Sequence, residues 1–272
     1  MYSNNMKIWR LALVILGIAF FTSCSNDDPE PVVHAGYILF KFEHRIDGEP
    51  VEFDQMKYTN GAGNLYEVSE IQWFISDITL NKENCSVPLL IDDSGFAHYV
   101  DTDIEESLVW APDDTIPSAN YTCIDITFGL KGEKNLPLTF VNPPESDMIW
   151  PYPMGGDNGG YHYMKLNGFW MDPLGVRQAF NFHLGVGKAM DANDNPQYIQ
   201  NWFEVRLGNS DFSLEDNETK VITIIMNVDE WFKNPTDYDH NVFGSKIMNN
   251  QDAMHQGCEN GENGVFTIGS IE

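Results

Sequence analysis

The chain has 272 residues, with 15 Lys and Arg against 41 Asp and Glu, which gives a formal net charge of −26. Such a charge argues against nucleic acid and anionic lipid as partners, because both carry the same sign, and it favours cations and basic proteins. The length fits one large domain or two small ones.

The N-terminus has the features of a secretory signal. Lys7 and Arg10 form a basic region, and the apolar run at 11–21 is shorter than the about 20 residues that a spanning helix needs. The end of this run resembles the lipobox of bacterial lipoproteins, which implies removal of residues 1–23 and lipidation of Cys24. The alternative is an ordinary secretory signal with an incidental cysteine.

The residues after Cys24 are acidic and rich in proline, so 24–35 is predicted to be a flexible tether. Residues 36–272 are then expected to form a single domain. The acidic run also resembles the surface-export signal of Bacteroidetes lipoproteins. These features predict an outer-membrane lipoprotein, facing the periplasm or displayed on the cell surface.

The domain is predicted to be all-β. Alternating or β-branched apolar segments, separated by turn residues, favour a mostly antiparallel sandwich or barrel. The predicted strands are 37–43, 71–80, 121–130, 161–169, 179–184, 202–207 and 220–228.

Helical patterns are few, and two connections are long. Short helices are predicted at 228–232, capped by Asp229, and at 248–256. The segments 92–118 and 136–160 are predicted to be long loops, which in a compact domain are commonly functional or disordered.

The cysteines leave one question open. With Cys24 lipidated, three remain: Cys85, Cys123 and Cys258. An oxidising compartment permits one disulfide, but the sequence does not select the pair.

Sequence motifs of common enzymes are absent: the chain has no GxSxG elbow, no HExxH and no phosphate or dinucleotide loop. A binding protein is therefore predicted rather than an enzyme. A glycoside hydrolase remains an alternative, and it would need two carboxylates flanking a cleft.

All seven histidines lie in the mature part of the chain, and three of them lie in or at the ends of predicted strands: His44, His98 and His183. Imidazoles that converge from separate strands can build copper or zinc sites. The alternative is that each histidine is a surface residue or a hydrogen-bonded core residue.

The segment 148–164 combines sulfur, aromatic and imidazole groups around a glycine-rich stretch. It contains Trp150, Met154, His162 and Met164. Thioethers and imidazoles suit copper, especially Cu(I). The alternative is a plug of aromatic and methionine side chains over the core.

Five motifs in order carry a family resemblance. They are FKFEH at 40–44 with Gly48, YTNGAGNLY at 58–66, IQWFISDI at 71–78, HYVD at 98–101, and MIW at 148–150 leading to GYHYMKLNG at 160–168 and FHLG at 182–185. From about residue 36 onward the chain resembles the MbnP-like family, periplasmic copper-binding proteins associated with methanobactin operons.

The resemblance implies an antiparallel β-sandwich with long loops and one or two short helices, and a mononuclear copper site. It also implies a partner related to dihaem cytochrome c peroxidases, which in some members oxidises a tryptophan to kynurenine. By position, His44 and His183 would be the core ligands and His98 a third. The possible supplements are His162, Met154 and Met164.

The tryptophan that some relatives carry two residues before the first histidine is replaced here by Phe42. Trp150 is then the expected oxidisable aromatic residue, on a segment that would cover the histidine site. The alternative function is a surface lipoprotein that binds glycan or protein through aromatic loops, without a metal. Convergence of His44, His98 and His183 on one point would favour copper.

Overall fold

The computed structural model describes residues 34–91, 97–151, 154 and 159–272. The predicted signal peptide, Cys24 and the tether up to residue 33 lie outside these ranges. Within them, no helix has the length and apolar character needed to cross a membrane.

Two large sheets dominate the described residues; strands are numbered in chain order. The first sheet contains β1 (Ala35–Ile46), β2 (Glu49–Pro50), β7 (Val109–Trp110), β8 (Ile116–Pro117), β17 (Thr219–Asn227) and β18 (Phe266–Ile271). The second contains β3 (Tyr58–Thr59), β4 (Leu65–Lys82), β5 (Val87–Ile91), β6 (His98–Asp101), β10 (Cys123–Phe128), β11 (Met164–Met171), β12 (Arg177–Leu184) and β15 (Phe203–Leu207).

Smaller elements complete the fold. Two further strand pairs join β13 (Gly187–Met190) to β14 (Pro196–Ile199) and β9 (Ala119–Tyr121) to β16 (Phe212–Leu214). The α-helices in the described ranges are α1 (His240–Phe243) and α2 (Gln251–Asn260). The all-β fold with few short helices is confirmed.

The two large sheets pack face to face through aromatic side chains. Phe42 of β1 meets Trp73 of β4 with ring centroids 5.7 Å apart, and Trp73 meets Phe266 of β18 at 5.2 Å. Trp73 is 1% exposed. Burial of each such side chain contributes roughly 1.5–3 kcal/mol, so these contacts help to hold the two sheets together.

The seven predicted strands are present as β1, β4, β10, β11, β12, β15 and β17, with shifted ends. One pairing differs from the antiparallel expectation, because β1 and β17 run parallel. The predicted loop at 92–118 also contains β6, β7 and β8. The regular structure described there consists of strands of two to four residues and a 3-10 turn at Glu105–Leu108, all too short for a periodic pattern to be visible in the sequence.

The helix predictions need two adjustments. Residues Val228–Phe232 form a 3-10 turn whose capping position is Asn227, not Asp229. The helix predicted at 248–256 is α2, which spans Gln251–Asn260. It begins after Asn250, whose side-chain oxygen accepts a hydrogen bond from the Ala253 N–H at 3.1 Å.

The structure also answers the cysteine question for the described residues. Cys85 and Cys123 are joined by a disulfide, and Cys258 on α2 is free.

The strand register decides which side chains share a face of the second sheet. Gln72 of β4 pairs with Lys165 of β11, which pairs with His183 of β12. One residue along, Trp73, Met164 and Leu184 form the next row. Paired residues point to the same face and successive residues to opposite faces. Trp73 faces the first sheet, so His183 lies on the outer face.

Candidate metal centre

His183 of β12 is held by one ring nitrogen and leaves the other without a partner. Its Nε2 lies 2.8 Å from the side-chain oxygen of Asn167 on β11. Its Nδ1 is buried and makes no hydrogen bond. Because the amide oxygen can only accept, Nε2 carries the proton and Nδ1 carries the lone pair of the neutral ring.

His162 precedes β11 and is anchored in the same way. Its Nδ1 lies 2.9 Å from the backbone oxygen of Met148, and its backbone N–H donates to that same oxygen at 2.6 Å. A carbonyl oxygen only accepts, so Nδ1 donates and Nε2 carries the lone pair. His162 is 5% exposed.

The two imidazoles are neighbours on the outer face of the second sheet. Their ring centroids are 5.0 Å apart, and the rings meet edge to face at 84°. Each ring has one nitrogen fixed by a protein oxygen and the other left with a lone pair, which is the usual arrangement of histidine metal ligands.

Both imidazole rings are uncharged at pH 7 and remain so well into the acidic range, because their pKa values are lowered. Burial lowers the pKa of His183 to about 3, with further lowering by the charges of His162 and Lys165. Burial also lowers the pKa of His162 to about 4, against the opposing effect of the Met148 and Ile149 carbonyls. No proton therefore competes for the lone pairs near neutral pH.

Trp150 lies against His162, with ring centroids 4.6 Å apart. It is 3% exposed, and its indole N–H is buried without a hydrogen-bond partner. Within this segment the structure therefore places Trp150 against His162, and His162 against His183. Residues 152, 153 and 155–158 of the segment lie outside the described residues.

His44 does not join this pair. It lies on β1 and faces the second sheet from the opposite side, where its Nε2 accepts a hydrogen bond from the Trp73 indole at 3.0 Å. An indole N–H can only donate, so the His44 Nε2 lone pair is already used. Burial lowers the His44 pKa to about 4.

His98 also lies on the inner side. Its ring stacks between Phe42 and Trp110, with centroids 5.3 Å from each, and its Nε2 donates to the Ser107 backbone oxygen at 2.7 Å. Burial lowers its pKa. The eight-stranded sheet thus separates His44 and His98 from His183, which corrects the expected convergence of the three histidines.

The two methionines expected as supplementary ligands, Met154 and Met164, lie in different surroundings. Met164 belongs to the inner row with Trp73 and is fully buried, so its sulfur is on the other face from His183. Met154 is partly buried against the core, and its backbone N–H donates to the Pro151 oxygen at 2.9 Å. The residues on both sides of Met154 lie outside the description.

No group of three or more His, Cys, Asp or Glu side chains with a metal-binding arrangement occurs among the residues that the structure describes. The centre consists of two imidazoles. The unpartnered Nδ1 of His183 and the lone pair of His162 Nε2 fit a metal that prefers nitrogen ligands, and copper is such a metal.

The sequence reasoning missed two residues behind His183. Asn167 holds His183, and its amide nitrogen donates to a carboxylate oxygen of Glu70 on β4 at 2.7 Å. The two-residue period was the available signal, since Asn167 shares a face with Lys165, and Glu70 shares one with Gln72. Only the cross-strand register shows that they meet.

The fold and the pair of neutral histidines define an all-β sandwich with a candidate metal centre on the outer face of its larger sheet. The MbnP family model matches residues 35–253, and the chain belongs to this family of methanobactin-associated, copper-related proteins. The solved structure of MbnP from Methylosinus trichosporium matches with a TM-score of 0.49 at 12% identity, covering 76% of this chain and 80% of that chain. No curated protein matches.

Proposed function

We propose that this protein binds copper outside the cytoplasm through Nε2 of His162 and Nδ1 of His183. The observation that carries the proposal is the buried, unpartnered Nδ1 of His183 beside the neutral ring of His162. A buried lone pair without a donor is costly unless something occupies it. Membership in the MbnP family makes copper the first candidate.

Copper held there would supply one-electron redox chemistry. The chain's own part is to keep both rings neutral, orient them and exclude water. Burial does the first, the Met148 oxygen and Asn167 do the second, and the Trp150 ring covers His162 on one side. The protein acts in this proposal as a binding protein and not as an enzyme.

The proposed partner is a dihaem cytochrome c peroxidase-like protein. Trp150 lines a groove of about 240 Å³ together with Pro137, Leu138 and Ile149, and the last two are 73% and 52% exposed. An apolar groove that reaches the tryptophan beside the centre supports docking there. The net charge of −26 supports a basic docking face on the partner.

The proposed location is the outer membrane, through a lipid on Cys24, with the domain in the periplasm or on the surface. The Cys85–Cys123 disulfide supports an oxidising compartment.

The alternative, a metal-free lipoprotein with an aromatic contact loop, is less well supported. The described aromatic residues of the 148–163 segment, Trp150, Tyr161 and Tyr163, are 3% exposed or less. Their rings fill the interior and leave little aromatic surface for a sugar or a peptide.

The test is copper binding to the full chain, purified from its extracytoplasmic compartment, against a competing chelator. We expect one copper per chain with nitrogen ligands in its X-ray absorption spectrum. His162→Phe is expected to abolish this binding. His44→Gln is the matched control, since it keeps an acceptor for Trp73 and is expected to bind as wild type does. Equal binding by the His162→Phe variant would refute the proposed site.

A further inference from the structure

A chain of hydrogen bonds runs from the candidate centre across the outer face of the second sheet. His183 Nε2 contacts the Asn167 side-chain oxygen at 2.8 Å, and the Asn167 amide nitrogen contacts Glu70 Oε2 at 2.7 Å. The other Glu70 oxygen accepts from the Gln72 amide at 3.0 Å, and the same amide donates to Asp101 at 3.0 Å.

The direction of each bond in this chain is fixed by Glu70. An ionised carboxylate only accepts, so the NH₂ end of the Asn167 amide must face Glu70 and its oxygen must face His183. The reversed amide would place two acceptor oxygens against each other. The Gln72 amide nitrogen donates in the same way to the other Glu70 oxygen.

The orientation of the Asn167 amide then selects the tautomer of His183. An oxygen at 2.8 Å requires a proton on Nε2, and a neutral ring with that proton has its lone pair on Nδ1. The opposite tautomer would place a proton on the buried Nδ1, the atom proposed to bind metal.

We propose that Glu70, acting through Asn167, is a positioning residue that holds His183 in the Nε2–H tautomer and so presents its Nδ1 lone pair beside His162. This inference rests on the proposed function for the identity of the metal, but the tautomer itself is a property of the metal-free protein. Neither Glu70 nor Asn167 touches the metal.

The experiment reads the tautomer first. Long-range ¹⁵N–¹H correlation spectra of the metal-free, histidine-labelled full chain report which ring nitrogen is protonated. In wild type we expect His183 to be protonated at Nε2 and bare at Nδ1. In Glu70→Gln the new amide can donate to Asn167, the Asn167 amide is free to reverse, and we expect the opposite tautomer of His183 to appear.

Copper affinity is the second measurement. Loss of a hydrogen-bonding residue behind a histidine ligand typically lowers metal affinity about 10- to 100-fold, and we expect this for Glu70→Gln. Glu204→Gln on β15, which removes an exposed ion pair with Lys131, is the matched control and is expected to change neither readout.

A double variant separates positioning from a merely structural role. In Glu70→Gln/Asn167→Asp the donor and the acceptor are exchanged: the amide at 70 donates to the carboxylate at 167, which accepts from His183 Nε2–H. We expect the wild-type tautomer to return, with copper affinity restored to within about threefold of wild type. If Glu70 had only a structural role, the second substitution would remove one more native contact, and the double variant would bind copper more weakly than Glu70→Gln does.

Two results would overturn the inference: a proton on Nδ1 of His183 in wild type, or an unchanged tautomer in Glu70→Gln. If the tautomers follow the expected pattern and wild type takes up no copper, the positioning role of Glu70 stands and the copper proposal falls. The two failures are thus distinguishable.

Discussion

The imidazole rings of His162 and His183 meet edge to face, with their centroids 5.0 Å apart. They are 21 positions apart in the chain and come from a loop and a strand. The loop reaches His183 because the Ile149–Tyr161 bridge and the Met148 oxygen fix its path beside β12.

The first prediction concerns Gly185, two positions after His183 in the sequence. A Cβ at Gly185 would lie 2.6 Å from Cε3 of Trp150, closer than real side chains approach. Gly185→Ala should therefore displace Trp150 and lower the free energy of unfolding by about 1–3 kcal/mol. Urea denaturation and the tryptophan near-UV spectrum measure both effects.

Gly208→Ala is the matched control for Gly185→Ala, because a Cβ at Gly208 would have no atom within 4 Å. Its stability is expected to stay within about 0.5 kcal/mol of wild type. If Gly185→Ala and Gly208→Ala are equally stable, the Trp150 ring is able to move away from a Cβ at position 185 without loss of stability.

The second prediction uses His240, whose two ring nitrogens are buried without hydrogen bonds among aromatic rings such as Phe180. Burial lowers its pKa from 6.5 to about 3. Between these values the unfolded state binds a proton that the native state does not, so the free energy of unfolding falls as the pH drops below 6.5. At pH 5 this costs about 2 kcal/mol.

His240→Phe removes this pH-dependent term. The stability of the variant relative to wild type should therefore rise by about 2 kcal/mol between pH 7.5 and pH 5, measured by urea denaturation of the metal-free protein. Leu174→Ala provides the control, because this side chain is 88% exposed and does not titrate, and its difference from wild type should not change with pH. A constant difference for His240→Phe would mean that this ring binds protons equally in the native and unfolded states.

The third prediction concerns the Cys85–Cys123 disulfide, which closes a loop of 38 residues. Restricting the unfolded chain by a loop of this length contributes about 4 kcal/mol. Cys85→Ala/Cys123→Ala should lose stability of this order in urea denaturation. A reducing agent should destabilise wild type and leave the double variant unchanged; an effect on both would indicate another reducible bond.

The fourth prediction tests the anchor. Cys24→Ala should abolish palmitate labelling and leave the precursor uncleaved by lipoprotein signal peptidase. Cys258→Ala, which removes the free cysteine on α2, should be labelled as wild type is. Persistent labelling of Cys24→Ala would place the lipid elsewhere.

The fifth prediction tests the partner. Association with a dihaem peroxidase-like protein should weaken as ionic strength rises from about 0.01 to 0.15 M, because the screening length shortens from about 30 to 8 Å. Co-expression should add oxygen at Trp150, detected by mass spectrometry. Trp150→Phe should lose this modification, and Trp110→Phe should retain it. Native protein without oxygen on any tryptophan would remove the redox part of the proposal.

The sequence by itself determined the sheet-forming segments and the family. Alternation of apolar residues is a local property, so β1, β4 and β17 could be predicted from short windows. Ordered motifs along the chain gave the MbnP resemblance that the family model confirms. The segment that carries Trp150 and His162 was also visible as a candidate site, because aromatic, sulfur and imidazole groups cluster within it.

The tertiary structure alone decided which histidines meet. A period of two gives two faces to each strand but does not say which face turns inward or which residue lies opposite on the next strand. The register Gln72–Lys165–His183 places His183 outside, while the packing of β1 on Trp73 places His44 inside. Glu70 and Asn167 reach His183 for the same reason: hydrogen bonds between strands join residues that are far apart in sequence.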